Sequence, residues 1–247
     1  MIRRTFLCCC VVCFAFPTFA QEAKPLGTLE LDLNRLKTWG TREYRYEASR
    51  PGSNEIVGEG RIVLKTEVAD TGVVLSDRMK LTYRGKELSL ELTQQCKKDN
   101  YLSPQKIESN GKGDDEVGTF VAKIEQGKAT IRSNAKERQI DLPSGTVTNW
   151  AFYRLVALLP RKAGTRISFG QWMESEEMNL KKDFVAECLG AESLRFGDKE
   201  ISCTKYRLTG TGIREAMFWV SEDDLLRQVV LDERKVIRLQ EKEQPQK

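Results

Sequence analysis

The 247-residue chain contains no histidine, and that absence closes several routes to chemistry at once. Ser-His-Asp and Cys-His nucleophile systems, His-ligated zinc or copper centres and histidine pH switches all need an imidazole. A helix-forming apolar run of membrane-spanning length is missing too, because the uncharged stretch from Phe6 to Phe16 has roughly half the residues a bilayer requires. Cysteine is scarce beyond that stretch, where only Cys96, Cys188 and Cys203 remain. No internal repeat recurs at solenoid or propeller spacing.

What the N-terminus does contain is a three-zone pattern. Arg3 and Arg4 give a positive start, Phe6 to Phe16 an apolar run, and Thr18-Phe19-Ala20 a cleavage site before the polar stretch Gln21 to Gly27. The expectation is a signal peptide over residues 1–20, cleaved after Ala20, and a periplasmic or secreted mature protein. Arg3-Arg4-Thr5-Phe6-Leu7 also resembles a twin-arginine signal, so general secretion and folded export both stay open. In an oxidising compartment Cys188 and Cys203 are the nearest pair for a disulfide, and three buried thiols are the alternative.

The 40 basic and 36 acidic residues come closer still once Arg3 and Arg4 leave with the leader. Lys and Arg are interspersed with Asp and Glu along nearly every segment, so no basic stripe or stacking motif points to nucleic acid. The surface reads as mixed charge.

Beyond residue 40 the chain alternates apolar and polar residues, with turn signals every 10 to 15 positions or so, as a continuous antiparallel meander does. Ile62-Val63-Leu64 and Val73-Val74-Leu75 flank Asp70-Thr71-Gly72. Met79, Leu81 and Tyr83 alternate ahead of Arg84-Gly85-Lys86, and Leu88, Leu90 and Leu92 follow. Later strands surround Phe196-Gly197-Asp198-Lys199 and Ser221-Glu222-Asp223-Asp224, and the last is Val236 to Leu239. The sequence therefore predicts a mainly β fold, with one antiparallel domain over residues 41–240. Residues 21–40, with Leu29, Leu31 and Leu33 alternating, are expected to be a linker or weak edge strand. Residues 241–247 are expected to be a disordered tail.

One segment breaks this rhythm. Thr148 to Leu159 is apolar on nearly every side, carries Arg154 as its one charge and stops at Pro160, which predicts a helix of about three turns. Such a helix must be buried or cover something apolar. Trp150, Phe152, Leu155 and Leu158, with Trp172 and Trp219, are the candidate lining of an apolar-ligand cavity. Ordinary core packing accounts for the same residues.

Other constellations carry less. Asp114-Asp115-Glu116 and Glu222-Asp223-Asp224 lack the alternating oxygen ligands of a calcium loop. Gly58-Glu59-Gly60 and Gly210-Thr211-Gly212 fall at strand boundaries and read as turn or bulge glycines. No spacing rule selects a glycosidase carboxylate pair, and no Ser-x-x-Lys lies in a favourable setting. Catalytic, metal and cofactor residues are therefore not assigned.

The layout resembles an uncharacterised periplasmic β-sheet family known only as a domain of unknown function, related in architecture to lipoprotein-carrier half-barrels. The resemblance rests on Tyr44-Arg45-Tyr46, Val57-Gly58-Glu59, Tyr101-Leu102-Ser103-Pro104 and Leu142-Pro143 before the helix. It continues in Leu159-Pro160-Arg161-Lys162-Ala163-Gly164, Gly190-Ala191-Glu192, Lys205-Tyr206 and Trp219 to Arg227. It implies a curved antiparallel half-barrel with the helix packed in or over the concave face, and it brings no catalytic residues. Three function classes follow: a carrier of an apolar, lipid-like ligand, a structural or protein-interaction module of the envelope, and, third, a hydrolase-like enzyme. The expectation is a non-enzymatic protein without a cofactor, partnered by a lipid-like ligand or an envelope protein.

Overall fold

A computed structural model of the chain describes residues 22–113, 119–133, 136–172, 180–196, 198–211, 215–232 and 234–240. The signal segment, the Asp114-Asp115-Glu116 turn, Gly212 and the 241–247 tail lie outside the described residues.

After the short β1 (Lys24–Pro25), eight strands follow: β2 (Thr41–Ser49), β3 (Ile56–Val68), β4 (Val73–Tyr83), β5 (Lys86–Cys96), β6 (Pro104–Lys112), β7 (Phe120–Glu125), β8 (Lys128–Ser133) and β9 (Lys136–Asp141). Next come β10 (Thr146–Thr148), the helix α1 (Asn149–Leu155) and a 3-10 turn at Val156–Leu158. The chain closes with β11 (Arg166–Trp172), β12 (Leu180–Phe196), β13 (Lys199–Thr209), β14 (Ala216–Ser221), β15 (Leu226–Leu231) and β16 (Lys235–Leu239).

All of these strands belong to one curved, unclosed sheet. Its order runs β1-β11-β12-β13-β14-β15-β16-β2-β3-β4-β5-β6-β7-β8-β9, with β10 pairing parallel to β11. Two meanders are therefore joined where β16 pairs antiparallel with β2, with Ile237 opposite Tyr46. The mainly β, half-barrel expectation agrees with this architecture.

Period-two alternation sets the two faces of each strand. Tyr44, Tyr46 and Ala48 of β2, Ile62 and Leu64 of β3, and Phe218 and Val220 of β14 point inward around α1. A second apolar cluster holds Leu92, Ile107, Phe120 and Ile131 of β5 to β8 together with Trp172 of β11. Side chains from opposite ends of the sheet thus meet where the backbone ladder does not close.

The helix starts on Thr148, whose hydroxyl accepts the Ala151 N–H at 3.3 Å and donates to the Gln94 amide oxygen at 2.7 Å. This cap satisfies one of the N–H groups a first turn leaves open. Everything from Ala151 to Leu159 is buried, as the apolar composition predicts.

The N-terminal segment departs from expectation. The strand is only Lys24–Pro25, against Ile167 and Ser168, and Leu29, Leu31 and Leu33 do not form one. Leu33–Thr38 is instead a 3-10 helix that starts on Asp32. Leu33, Leu36 and Trp39 are all buried, and their spacing of three is the repeat that aligns side chains on one face of a 3-10 helix. Residues 26–39 are thereby packed into the core rather than linking to it.

Candidate functional site

The six candidate lining residues do not converge on one space. Phe152, Leu155 and Leu158 sit in the core around α1, and half-buried Trp150 packs against both apolar clusters. Phe152 stacks on Phe169 with centroids 4.9 Å apart and meets the edge of Phe218 at 5.3 Å. Trp172 belongs to the second cluster. Trp219 lies on the outer face, where its indole N–H donates to Glu192 at 2.9 Å and the Lys205 ammonium sits 4.9 Å from its ring centre. Alternation explains this, since its neighbours Phe218 and Val220 take the inward positions.

Within the interior one polar group stands out. Arg154 projects from α1 toward β3 and β4 with no solvent exposure. Its Nε donates to Thr66 at 3.2 Å, Nη1 to Asp77 Oδ2 at 3.2 Å and the Trp150 carbonyl at 3.1 Å, and Nη2 to Asp77 Oδ1 and the Lys65 carbonyl. All five N–H donors of the guanidinium are therefore used. Burial pushes the Asp77 carboxyl up and the charge of Arg154 pulls against it. The sequence carried a sign of this pair: Asp77 falls between Leu75 and Met79 at inward positions of β4.

A second polar cluster gathers around the turn between β14 and β15. Asp224, at positive φ of 61°, accepts from Arg35 Nε at 2.6 Å and from Arg161 at 2.6 Å, while its carbonyl takes the Trp39 indole N–H at 2.8 Å. Two distant stretches of chain, one carrying Arg35 and Trp39 and the other Arg161, are thus clasped at one acidic turn. Ser221 is held inside it, accepting from Arg227 Nε at 2.6 Å and donating to Asp223. Tyr206 donates to the Leu159 carbonyl at 3.0 Å, and burial pushes its phenol up.

Cys96, Cys188 and Cys203 are buried free thiols. Cys188 stands opposite Tyr206 among the inward residues, whereas Cys203 is opposite Glu192 on the outer side. A Cys188–Cys203 disulfide is therefore not made.

The outer face also carries depressions. One groove of about 800 Å³ lies over β2 to β5, and it shares Glu59 and Thr82 with a second of about 750 Å³ beside the loop from Arg50 to Glu55. Successive ladders place Arg238 opposite Arg45, Arg45 opposite Arg61 and Arg61 opposite Lys80. Lys80 faces Ser89, and Ser89 faces Lys112. The result is a transverse row of cations on exposed positions. Glu47 pairs with Arg45 at 3.0 Å, Glu43 pairs with Arg61, and Arg238 donates to Gln228 at 2.9 Å. Gly60 lets β3 and β4 approach here, since a Cβ would come within 2.2 Å of the Lys80 carbonyl oxygen. Sequence reading missed the row because it depends on which residues stand opposite one another across separate strands.

No family model matches the chain, and no curated protein matches it in sequence. In fold it is similar to the crystal structure of a β-barrel-like protein of domain of unknown function DUF1849 from Brucella abortus. The TM-score is 0.56 and the identity 12%, over 81% of this chain and 95% of that one. At such identity the likeness concerns architecture alone, and by it the chain is a β-barrel-like domain.

Proposed function

We propose that the protein is an exported, non-catalytic module of the cell envelope that holds a partner on the outer face of its sheet. One observation carries this reading. Phe152, Leu155 and Trp172, the residues best suited to line an apolar chamber, are at most 1% exposed. A chamber wide enough for a lipid chain would leave accessible area on its walls, and these side chains touch protein on every side. A carrier would require α1 to leave the interior, which would strip the partners from Arg154. The grooves over β2 to β5 remain open without any rearrangement.

Export is supported by the three-zone N-terminus, and the lack of histidine supports a non-catalytic role. The test is titration of the exported chain with the apolar dye Nile red. Native protein is expected to leave the emission unchanged. Saturable, stoichiometric enhancement would overturn the reading in favour of a carrier.

A further inference from the structure

Residues 26–39 lie across one end of the half-barrel and are fastened to it at two separate places. At the leading end, β1 ladders with β11 over only two residues. The Gly27 N–H donates to the Tyr101 hydroxyl at 2.8 Å, and the Asn100 amide donates to the Leu29 carbonyl. At the trailing end, Arg35 and the Trp39 indole N–H both donate to Asp224. These bonds run through side chains, whereas β2, which follows, is laddered to β3 from Thr41 to Ser49. Between the segment and that ladder stands Gly40, at a φ of +52° with open space where a side chain would be. Inside the segment the backbone bonds are local, as from the Arg35 N–H to the Asp32 carbonyl at 3.2 Å. Beneath it, the Trp39 ring centre lies 5.9 Å from the Arg154 guanidinium, and Leu26, Leu33 and Leu36 join the core around α1.

We propose that residues 26–39 are a lid that opens about Gly40 as one unit while the sheet stays folded, with Tyr101 and Asp224 as its two catches. Elements tied by few ladder bonds open at a lower free energy than core strands. A glycine in the left-handed region can absorb the backbone change that a hinge requires. Closed, the lid keeps the indole over Arg154 and water away from the Arg154–Asp77 pair. Open, it lets water reach that pair from the end of the half-barrel. The lid is independent of what the outer face holds.

Catches at opposite ends decide whether the segment moves as a whole. Hydrogen exchange of the full chain, read by mass spectrometry, is expected to show residues 26–39 exchanging together and faster than β2, β3 and β4. Tyr101→Phe keeps the ring but loses the acceptor of the Gly27 N–H, and it should speed exchange roughly three- to tenfold at residues 33–39 as well as at 26–32. Arg35→Gln loosens the other catch, and it should speed both halves by roughly the same factor. Arg50→Gln, in the exposed loop after β2, should change neither. If Tyr101→Phe melts early, Gly27→Ala replaces it, because the added methyl would come within 2.3 Å of the Tyr101 hydroxyl. Protection of residues 26–39 equal to that of β3 and β4 overturns the proposal, since the segment would then open only with the whole fold. So does faster exchange confined to the half beside each substitution, which means two pieces fraying separately, and so does an unchanged rate in both variants. None of these outcomes bears on the outer-face reading, which the Nile red titration tests separately.

Discussion

Arg154 of α1 and Asp77 of β4 form a two-point ion pair in which the side chains are 0% and 2% exposed. Removing one partner of such a pair leaves an uncompensated buried charge, and Asp77→Asn is expected to cost about 3–5 kcal/mol. Replacing both residues, Arg154→Met with Asp77→Leu, should restore most of that stability. Urea unfolding of the two variants checks it. A single variant as stable as the parent would mean that water reaches the guanidinium.

The packing around α1 makes a parallel claim. Leu155→Ser should cost about 2–5 kcal/mol through an unfilled volume and a buried hydroxyl. A loss below about 1 kcal/mol in the same unfolding measurement would point to slack around the helix.

Asp224 joins Arg35 and Arg161 to the β14–β15 turn. Asn tolerates the positive φ but lacks the charge, so Asp224→Asn isolates the electrostatic part of the clasp, about 1.5–3 kcal/mol for hydrogen bonds to charged groups. Exposure of residues 26–39 should follow. Faster hydrogen exchange there, with unchanged protection in β3 and β4, is the expected result.

The hydrogen bond from Lys205, with help from the Trp219 indole, holds the Glu192 carboxyl below its ordinary value of 4.5. A carboxylate lowered in the folded state contributes stability above its unfolded value and loses it as pH falls through the folded one. The difference in melting temperature between the parent and Glu192→Gln should therefore be steady near neutrality and shrink below about pH 4.5. Both side chains are partly exposed, so added salt should narrow the difference as well. A gap that widens in acid would contradict the assignment.

Burial pushes the Cys203 thiol up to about 11 and raises Cys188 too. At pH 8 only about one Cys203 in a thousand would be thiolate. A maleimide reagent should label the native chain slowly, and should reach Cys96, Cys188 and Cys203 together once urea unfolds it. Rapid labelling of one cysteine in native protein would show an opening absent from this structure.

Much of the sheet was legible because each hairpin advertises itself locally. The alternation of Met79, Leu81 and Tyr83, followed by Arg84-Gly85 and then Leu88, Leu90 and Leu92, needs no distant information. The helix was legible from composition and from Pro160. By contrast β9, with Lys136, Glu137, Arg138 and Gln139 all exposed, has no buried face to set a pattern. The N-terminal leucines offered a period of two at Leu29, Leu31 and Leu33 and a period of three at Leu33, Leu36 and Trp39, and packing against the core selected the second. The lining residues lie apart from one another for a simpler reason: aromatic composition does not reveal which side of a strand faces inward or whether the space there is already full.

The ladder between β2 and β16 also governs how this chain reaches its final shape. These strands lie near opposite termini yet pair in the middle of the sheet. The first meander can zip up locally as it emerges, but its β2 edge stays open until the final strand arrives. Closing that gap joins distant ends of the chain, a step with a large entropic cost and a correspondingly slow rate. Until it occurs, both halves expose unpaired strand edges to other copies. Assembly is thus most exposed to wrong pairing just before completion, and the C-terminal strand is the piece that covers the β2 edge, leaving β9 at an open end of the sheet.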